Sequence, residues 1–218
     1  KKGLNIPNTF ELLDELVKSL QIKNKFRLLF RIGVNRRDGV HELITMARTF
    51  NTYHRKYKWI EAIDINGDER TFPLEKLAPI LKSLKQEEIP FTIHAGEGSD
   101  LTNSLEDALK CDPIRIGHGI SAINSTDIMK ELCIRNIPLE ICITSNIATS
   151  NSPQSPNKHP IKTLFNNKVP ILLGSDNPTF LDTTIKREYE LATKVCGPDF
   201  LSVLDSNIEQ TLEKKDEG

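Results

Sequence analysis

The sequence lacks the features that mark membrane, secreted and nucleic-acid-binding proteins. Its longest apolar runs have the length of a strand, far below the roughly 20 residues that a membrane-spanning helix requires. Its 29 basic and 30 acidic residues leave a formal net charge of −1, so no strong field favours nucleic acid or an anionic membrane. The chain opens on Lys1 and polar residues, without the apolar run of a signal peptide. We therefore expect a cytoplasmic protein with neither a nucleic-acid nor a membrane partner.

Cysteine is also scarce, and the cysteines are spread along the sequence. The four cysteines, Cys111, Cys133, Cys142 and Cys196, include no Cys-x-x-Cys pair. They lie in or beside apolar segments, as reduced and buried thiols of a cytosolic protein do. A disulfide pair or a thiol nucleophile is the alternative that the sequence leaves open.

Six apolar segments of strand length recur along the chain. They are Arg27–Val34, Trp59–Ile65, Phe91–His94, Ile114–Gly117, Pro138–Ile143 and Pro170–Gly174. Strands that are apolar nearly throughout are typical of a parallel sheet that is covered on both faces. Their spacing is that of successive βα units. We predict an α/β fold in which residues 1–218 form one domain.

Helical patterns separate these strands. The predicted helices include Phe10–Leu20, Val40–Phe50, Leu74–Leu84 with Pro79 disturbing it, Asp127–Arg135 capped by Ser125, Ile161–Phe165, Thr184–Val195 and Phe200–Leu212 capped by Asp199. The segment from Thr149 to Asn157 is rich in Ser, Asn and Pro, and we predict a loop that follows a strand.

Four polar motifs close four of the predicted strands. They are His94–Glu97 (HAGE), Arg115–Gly119 (RIGHG), Glu140–Asn146 (EICITSN) and Leu173–Pro178 (LGSDNP). When several parallel strands carry His, Glu and Asp at their carboxyl ends, a barrel with its chemistry on one rim is favoured. Two His, a Glu and an Asp in this arrangement indicate metal-assisted hydrolysis. Taken singly, each motif has a structural alternative, such as an Asp that caps the next helix.

Together with Ile63–Glu69 (IDINGDE) and His159–Pro160, these motifs resemble the adenosine deaminase family. That family comprises zinc-dependent purine deaminases and includes adenosine, adenine and AMP deaminases. The resemblance runs from about Arg27 to the carboxyl end. It implies a (β/α)8 TIM-type barrel of the metal-dependent hydrolase kind, with about six of the eight βα units (strands three to eight) in this chain. It also implies hydrolytic deamination of adenosine or a close purine analogue to the 6-oxo purine and ammonia.

The resemblance assigns the central chemistry to four residues. His94 and Asp176 match a histidine and an aspartate that bind zinc. Glu97 matches the acid that protonates purine N1 and so makes C6 electrophilic. His118 matches the histidine that orients and helps to deprotonate the metal-bound water. Zn²⁺ is thus the expected cofactor, since a bound metal lowers the pKa of water from 15.7 toward about 7.

Two further residues are expected to contact the small-molecule purine. Gly67 matches a glycine whose backbone amide meets the ring at N3. Asn177 stands where many members have a second Asp, which contacts the N7 side of the purine. Its amide can accept a hydrogen bond or donate one to N7. The substrate therefore stays open among adenosine, adenine, AMP and N6-methyl-AMP.

One part of the family pattern is missing. The family's first strand carries a His-x-His that supplies two more zinc ligands, and no His-x-His occurs in this sequence. The other histidines are His41, His54 and His159, and we expect His159 to organise the start of its helix. Catalytic zinc normally has three protein ligands and an open position, so His94 with Asp176 would bind it weakly.

Six of eight strands would also leave two sheet edges uncovered. We expect an amino-terminal segment or a second chain to complete the barrel. The alternative is an incomplete, non-catalytic deaminase fragment that binds no zinc. An unrelated amidohydrolase would need a carboxylated lysine or another bridging ligand for a second metal, and no motif in the sequence indicates one.

Overall fold

Six parallel strands, paired in chain order, form the centre of the fold. The computed structural model describes residues 5–24, 27–149 and 153–216, apart from the side chains of 21–24 and 213–216. The strands are β1 (Phe30–Asn35), β2 (Ile60–Asn66), β3 (Phe91–Ala95), β4 (Arg115–His118), β5 (Leu139–Ile141) and β6 (Ile171–Leu173). Each pairs in parallel with the next, as in a (β/α)8 barrel. The predicted α/β class and six-unit partial barrel are confirmed.

Ten α-helices occur in the described residues. They are α1 (Ile6–Asn24), α2 (Gly39–Tyr53), α3 (Ala78–Gln86), α4 (Thr102–Lys110), α5 (Thr126–Arg135), α6 (Ile143–Thr149), α7 (Ile161–Asn166), α8 (Pro178–Leu181), α9 (Ile185–Cys196) and α10 (Phe200–Asp216). None of them combines the length and the hydrophobicity that a membrane crossing requires.

The core lies between the strands and the helices that cover them. Ile63, Ile93 and Ile116 on three neighbouring strands are completely buried, as are Leu43 of α2 and Leu81 of α3. Burying each such side chain stabilises the fold by about 1.5–3 kcal/mol. The sheet is therefore anchored on its helical side, and the carboxyl ends of its strands keep fixed positions.

Local sequence signals set several element ends. The Ser125 hydroxyl accepts a hydrogen bond from the Ile128 N–H and caps α5, as predicted. The predicted helix from Leu74 is divided: a short 3₁₀ helix ends at Lys76 and α3 begins at Ala78. Pro79 then lies in the first turn of α3, where its missing N–H costs nothing.

The predicted strand Pro138–Ile143 is wrong at its carboxyl end. β5 ends at Ile141, and Ile143 already begins α6. The apolar start of α6 continues the apolar run of the strand, and a short apolar run does not distinguish strand from helix. Of the predicted loop from Thr149, residues 150–152 lie outside the described part of the chain.

The sheet also carries four charged side chains on four strands. Arg31 (β1) contacts Glu61 (β2) with Nε 3.0 Å from Oε2, and its Nη1 lies 2.6 Å from Oε2 of Glu140 (β5). Arg115 (β4) forms ion pairs with the same two glutamates. We call these four residues the charge cluster. Two positive and two negative charges balance one another within it.

The sheet has two edges in the part of the chain that the structure describes. β1 pairs with β2, β6 pairs with β5, and no pairing joins β1 to β6. The six strands therefore do not close into a barrel by themselves, as the sequence predicted. A strand that pairs on one side only can pair with a further strand on its other side.

Candidate active site

The predicted site residues meet at the carboxyl ends of three strands. His94 and His118 lie at the ends of β3 and β4, and Asp176 follows β6. All three line one open cavity of about 410 Å³. Gly67 and Glu97 line a second cavity of about 300 Å³, which His94 also borders. The structure thus brings five of the six predicted residues to two adjoining cavities.

Asn177 is the predicted residue that lines neither of these two cavities. It is exposed at the start of α8, and its side chain forms no cap for that helix. Its backbone carbonyl accepts the N–H groups of Phe180 and Leu181. Asn177 is near the site because it follows Asp176 in the chain.

Two of the site residues have a left-handed backbone. The φ angle is +63° at His118 and +53° at Asp176, a conformation that costs a non-glycine residue about 1–3 kcal/mol. Other left-handed residues, such as Glu88 and Asp112, follow helices, where this conformation commonly ends a helix. His118 ends β4 and Asp176 follows β6 by three residues, and left-handed residues in such places need support from their surroundings and cluster at functional sites.

The His94 ring packs against Gly117 of the neighbouring strand. The two residues are opposite each other in the β3–β4 register, and a Cβ at Gly117 would lie 3.0 Å from His94 Cγ. The glycine therefore makes room for the imidazole. Nδ1 of His94 is buried and lies 3.3 Å from Asp64 Oδ1, without an aligned hydrogen bond. Nε2 is then the ring nitrogen that is left to bind a ligand.

Asp64 supports His94 electrostatically. It accepts hydrogen bonds from Thr92 Oγ1 at 2.5 Å and from Asn66 Nδ2 at 3.3 Å. Burial acts to raise the pKa of Asp64, but the interactions with His94, Thr92 and Asn66 lower it to about 2. Burial acts to lower the pKa of His94, but Asp64, together with the charges of Glu140 and Asp176, outweighs this, so that the pKa is raised. Sequence reasoning missed Asp64, although it lies within the IDINGDE motif.

Glu97 projects from a turn whose backbone is held by two buried residues. The N–H groups of Gly96 and Glu97 donate to the Glu69 carboxylate at 2.7 and 3.0 Å. The Arg36 guanidinium donates to the carbonyl of His94. Glu69 and Arg36 are 8% and 3% exposed, so water does not compete strongly for these bonds. The backbone around Glu97 is thus fixed at three points.

The Glu97 carboxylate lies beside the His118 ring. Its Oε1 accepts a hydrogen bond from Thr149 Oγ1 at 2.6 Å, and its Oε2 is 3.9 Å from His118 Nε2. The side chain is 32% exposed, so a molecule in the cavity can reach it. A carboxyl group next to an imidazole provides two groups suited to proton transfer or hydrogen bonding at neutral pH.

His118 begins a buried series of polar side chains. Its Nδ1 is 3.1 Å from Asn146 Nδ2, and Asn146 Oδ1 is 3.2 Å from His159 Nε2. His159 Nδ1 accepts the backbone N–H of Ile161 at 3.1 Å, which places His159 at the start of α7 as predicted. Burial lowers the pKa of His118, although the charge of Glu97 opposes this. Sequence reasoning missed Asn146, which ends the EICITSN motif.

Asp176 is held by a residue of α6. The Ser145 hydroxyl is buried and donates to Asp176 Oδ2 at 2.6 Å. Cys142 lines the same cavity, and burial, followed by the charge of Asp176, raises the pKa of its thiol well above neutrality. All four cysteines are free. Neither a disulfide nor a thiolate nucleophile has support in the structure.

The two predicted zinc ligands make an incomplete metal site. His94 and Asp176 line one cavity, but the described residues contain no group of three His, Cys, Asp or Glu side chains that could hold a metal ion. Catalytic zinc normally has three protein ligands. The described part of this chain therefore fits part of a zinc site and does not complete it.

Comparison with known proteins assigns the family. The adenosine deaminase family model matches residues 24–208. The chain belongs to the adenosine deaminase family. An adenosine deaminase of Clostridium botulinum is 31% identical over 224 residues, which cover 99% of this chain and 65% of that protein. An adenine deaminase of Sinorhizobium medicae is 32% identical over 157 residues, which cover 72% of this chain and 48% of that protein.

A solved structure shares the fold. An amidohydrolase of Burkholderia ambifaria with bound Zn matches with a TM-score of 0.78 at 17% identity, over 88% of this chain and 53% of that one. The chain spans 65% of the Clostridium relative and 48% of the Sinorhizobium relative. A complete deaminase of this family is therefore longer than the region matched here.

Proposed function

We propose that this chain carries the acid–base part of a purine deaminase active site. In the reaction, water replaces the 6-amino group of adenosine or a close analogue, and the products are the 6-oxo purine and ammonia. The observation that carries the proposal is the placement of Glu97 beside His118, with Oε2 and Nε2 3.9 Å apart at a cavity. Family membership supports the same reaction.

Glu97 is the proposed acid. It gives a proton to N1 of the purine, and the positive charge that this places on the ring makes C6 more electrophilic. The Thr149 hydroxyl holds one carboxyl oxygen at 2.6 Å. The bonds from Gly96 and Glu97 to Glu69 hold the backbone. A group held in this way can meet N1 with little loss of conformational freedom, which favours catalysis.

His118 is the proposed partner of the attacking water. Its Nε2 lies on the Glu97 side of the ring, so a water between them would face the same purine edge. Asp176 and His94 line the cavity next to His118. The ring is buried against Asn146, and its orientation toward the cavity is therefore fixed.

Zinc is the proposed cofactor, with His94 and Asp176 as two of its ligands. The remaining ligands would have to come from residues outside the described part of the chain, in an amino-terminal segment or a second chain. Bound zinc would activate the water for attack at neutral pH. The zinc-containing Burkholderia structure supports this cofactor for the fold.

We propose adenosine as the substrate, with Gly67 as a backbone contact of the purine. Gly67 lines the cavity that Glu97 borders. The relatives include both adenosine and adenine deaminases, so family membership does not separate the nucleoside from the base. AMP and N6-methyl-AMP are further candidates.

Four free cysteines support a reducing, cytoplasmic setting.

The second candidate is a chain that binds no zinc and has no activity of its own. The incomplete metal site is the specific observation in its favour. It differs from the first proposal in one measurable respect. A non-catalytic chain would release no ammonia from any purine, even when zinc and the natural protein context are supplied.

Ammonia release from adenosine, adenine, AMP and N6-methyl-AMP tests the proposal. The assay would use the natural protein that carries this chain, with zinc added. We expect turnover of one of these purines and its loss on Glu97→Gln substitution, with the zinc content unchanged. Glu106→Gln, an exposed change of the same kind on α4, serves as the control. Full turnover by the Glu97→Gln variant would contradict the assignment, and no turnover by the wild type would favour the second candidate.

A further inference from the structure

We propose that Asn146 and His159 are positioning residues that fix the His118 imidazole as its Nε2–H tautomer. His118 would then face the attacking water as a hydrogen-bond donor and not as a proton acceptor. The identity of the molecule that receives this bond rests on the proposed function. The tautomer itself follows from the hydrogen bonds of the described residues.

The backbone N–H of Ile161 fixes the tautomer of His159. A backbone N–H can only donate, and the N–H of Ile161 points at His159 Nδ1 from 3.1 Å. Nδ1 must therefore carry a lone pair. His159 is 3% exposed, and burial lowers its pKa to about 4, so the ring is neutral at pH 7. A neutral imidazole has one N–H, and in His159 it is on Nε2.

The Nε2–H of His159 in turn fixes the orientation of the Asn146 amide. Its side chain is completely buried, and the atom that faces the Nε2–H of His159 at 3.2 Å must accept. That atom is Oδ1, the one acceptor of the amide. The NH2 group therefore faces the other way, toward His118 Nδ1 at 3.1 Å. The orientation of this amide follows from the backbone N–H of Ile161 and not from the placement of its oxygen and nitrogen alone.

The NH2 group of Asn146 fixes the tautomer of His118. An NH2 group can only donate, so His118 Nδ1 must accept, and the proton of the neutral ring is on Nε2. The alternative tautomer would place two donors face to face at 3.1 Å in a site where His118 is 3% exposed. An unpaired pair of buried donors is strongly disfavoured. The Nε2–H group is left facing the Glu97 side of the cavity.

This proton arrangement changes the role of His118 in the proposed reaction. A nitrogen that already carries its proton cannot take another proton from water. The Nε2–H can instead hold the oxygen in place by donating to it. The proton that the water loses goes to Glu97, whose carboxylate becomes an acceptor after it has given its own proton to N1. Asn146 and His159 touch neither the water nor the purine, and they act through His118.

Nitrogen-15 NMR of the histidine side chains tests the tautomer directly. Chemical shifts and one-bond couplings distinguish a protonated ring nitrogen from an unprotonated one, without substrate or metal. In the wild-type protein at neutral pH we expect His118 to show a protonated Nε2 and an unprotonated Nδ1. A protonated Nδ1 in the wild type would overturn the proposal. A His118→Gln variant identifies the signals.

Asn146→Asp reverses the last hydrogen bond with almost no change of shape. A carboxylate accepts from His159 and from His118 alike, so the His118 proton should move to Nδ1 and the two nitrogen signals should exchange character. An unchanged His118 spectrum in a folded Asn146→Asp variant would overturn the proposal. Asn103→Asp makes the same change on the exposed side of α4 and should leave the spectrum as it is. If the Asn146 variant does not fold, the wild-type measurement decides.

The NMR measurement tests the tautomer and the ammonia assay tests the proposed function, so either claim can be refuted while the other holds. An Nε2–H tautomer in a protein that deaminates no purine would support the hydrogen-bond series and refute the proposed function. Deamination by a protein whose His118 carries its proton on Nδ1 would support the function and refute the series.

Discussion

The Glu69 carboxylate accepts the backbone N–H of Gly96 at 2.7 Å. A second N–H, that of Glu97, reaches the other carboxylate oxygen at 3.0 Å. Glu69 lies in the loop after β2, and the turn that it holds follows β3, so one buried carboxylate ties two neighbouring βα loops together. The position of the proposed acid therefore depends on a second carboxylate, whose two oxygens accept the backbone N–H groups of the turn.

Replacing Glu69 by Gln should loosen this turn. Gln keeps one acceptor oxygen and presents an NH2 group to the other backbone N–H, so a buried donor loses its partner. The expected loss in the free energy of unfolding is about 1–3 kcal/mol. Displacement of the proposed acid should also lower turnover by about 10²-fold. Urea unfolding and the ammonia assay measure the two effects, and Glu75→Gln, an exposed change, is the control. A Glu69→Gln variant with the stability of the wild type would refute the role of Glu69 in holding this turn.

The burial of His159 predicts a pH dependence of stability. Its pKa is about 4 in the folded protein, below its ordinary 6.5. Between these pH values the unfolded chain binds a proton that the folded chain does not, so folding loses stability as the pH falls from 6.5 toward 4. The full effect is about 3 kcal/mol. Above pH 6.5 both states are neutral at this residue, and it adds no pH dependence.

A comparison of the wild type with a His159→Gln variant tests this pH dependence. The free energy of unfolding of His159→Gln should be lower than that of the wild type at pH 7, and the gap should narrow as the pH falls to 4. His94, whose pKa is raised, contributes with the opposite sign but is present in both proteins. A gap that stays constant over this range would show that His159 does not titrate as its burial requires.

The strands and most of the candidate site could be predicted from the sequence. Buried parallel strands produce apolar runs of a distinctive length, and the polar residues that close them are visible at once. His94 and Glu97 stood out because HAGE follows such a run directly. The end of β5 was predicted wrongly, because the apolar start of α6 continues the run of the strand.

The supporting residues could not be predicted in this way. Glu69 and Asn146 act through hydrogen bonds to residues 27 and 28 positions away along the chain. Such contacts are created by the pairing of neighbouring βα units and leave no periodicity in the sequence. The catalytic roles of Glu97 and His118 stay predictions, since the structure describes their positions and not their reactions.

The charge cluster is a second feature that the strand patterns did not reveal. The side chains of Glu61 and Arg115 are 11% and 8% exposed. Each forms ion pairs with two partners of opposite charge on other strands. Burial acts to raise the pKa of Glu61, but Arg115 and Arg31 lower it to about 2. The four charged side chains of the cluster are stable together because each charge has a partner of opposite sign.

Removing two opposite charges from this cluster should cost less stability than the sum of the two single removals. Glu61→Gln leaves two guanidinium groups sharing the Glu140 carboxylate, and we expect a loss of about 3 kcal/mol in the free energy of unfolding. The double variant Glu61→Gln with Arg115→Gln keeps the Arg31–Glu140 pair and restores the balance. It should lose at least about 1 kcal/mol less than the sum of the single variants. Asp107→Asn, which breaks the exposed ion pair with Lys110, should change the stability by less than about 1 kcal/mol. Urea denaturation of the set measures the coupling, and strictly additive losses would mean that the four side chains do not act as a unit.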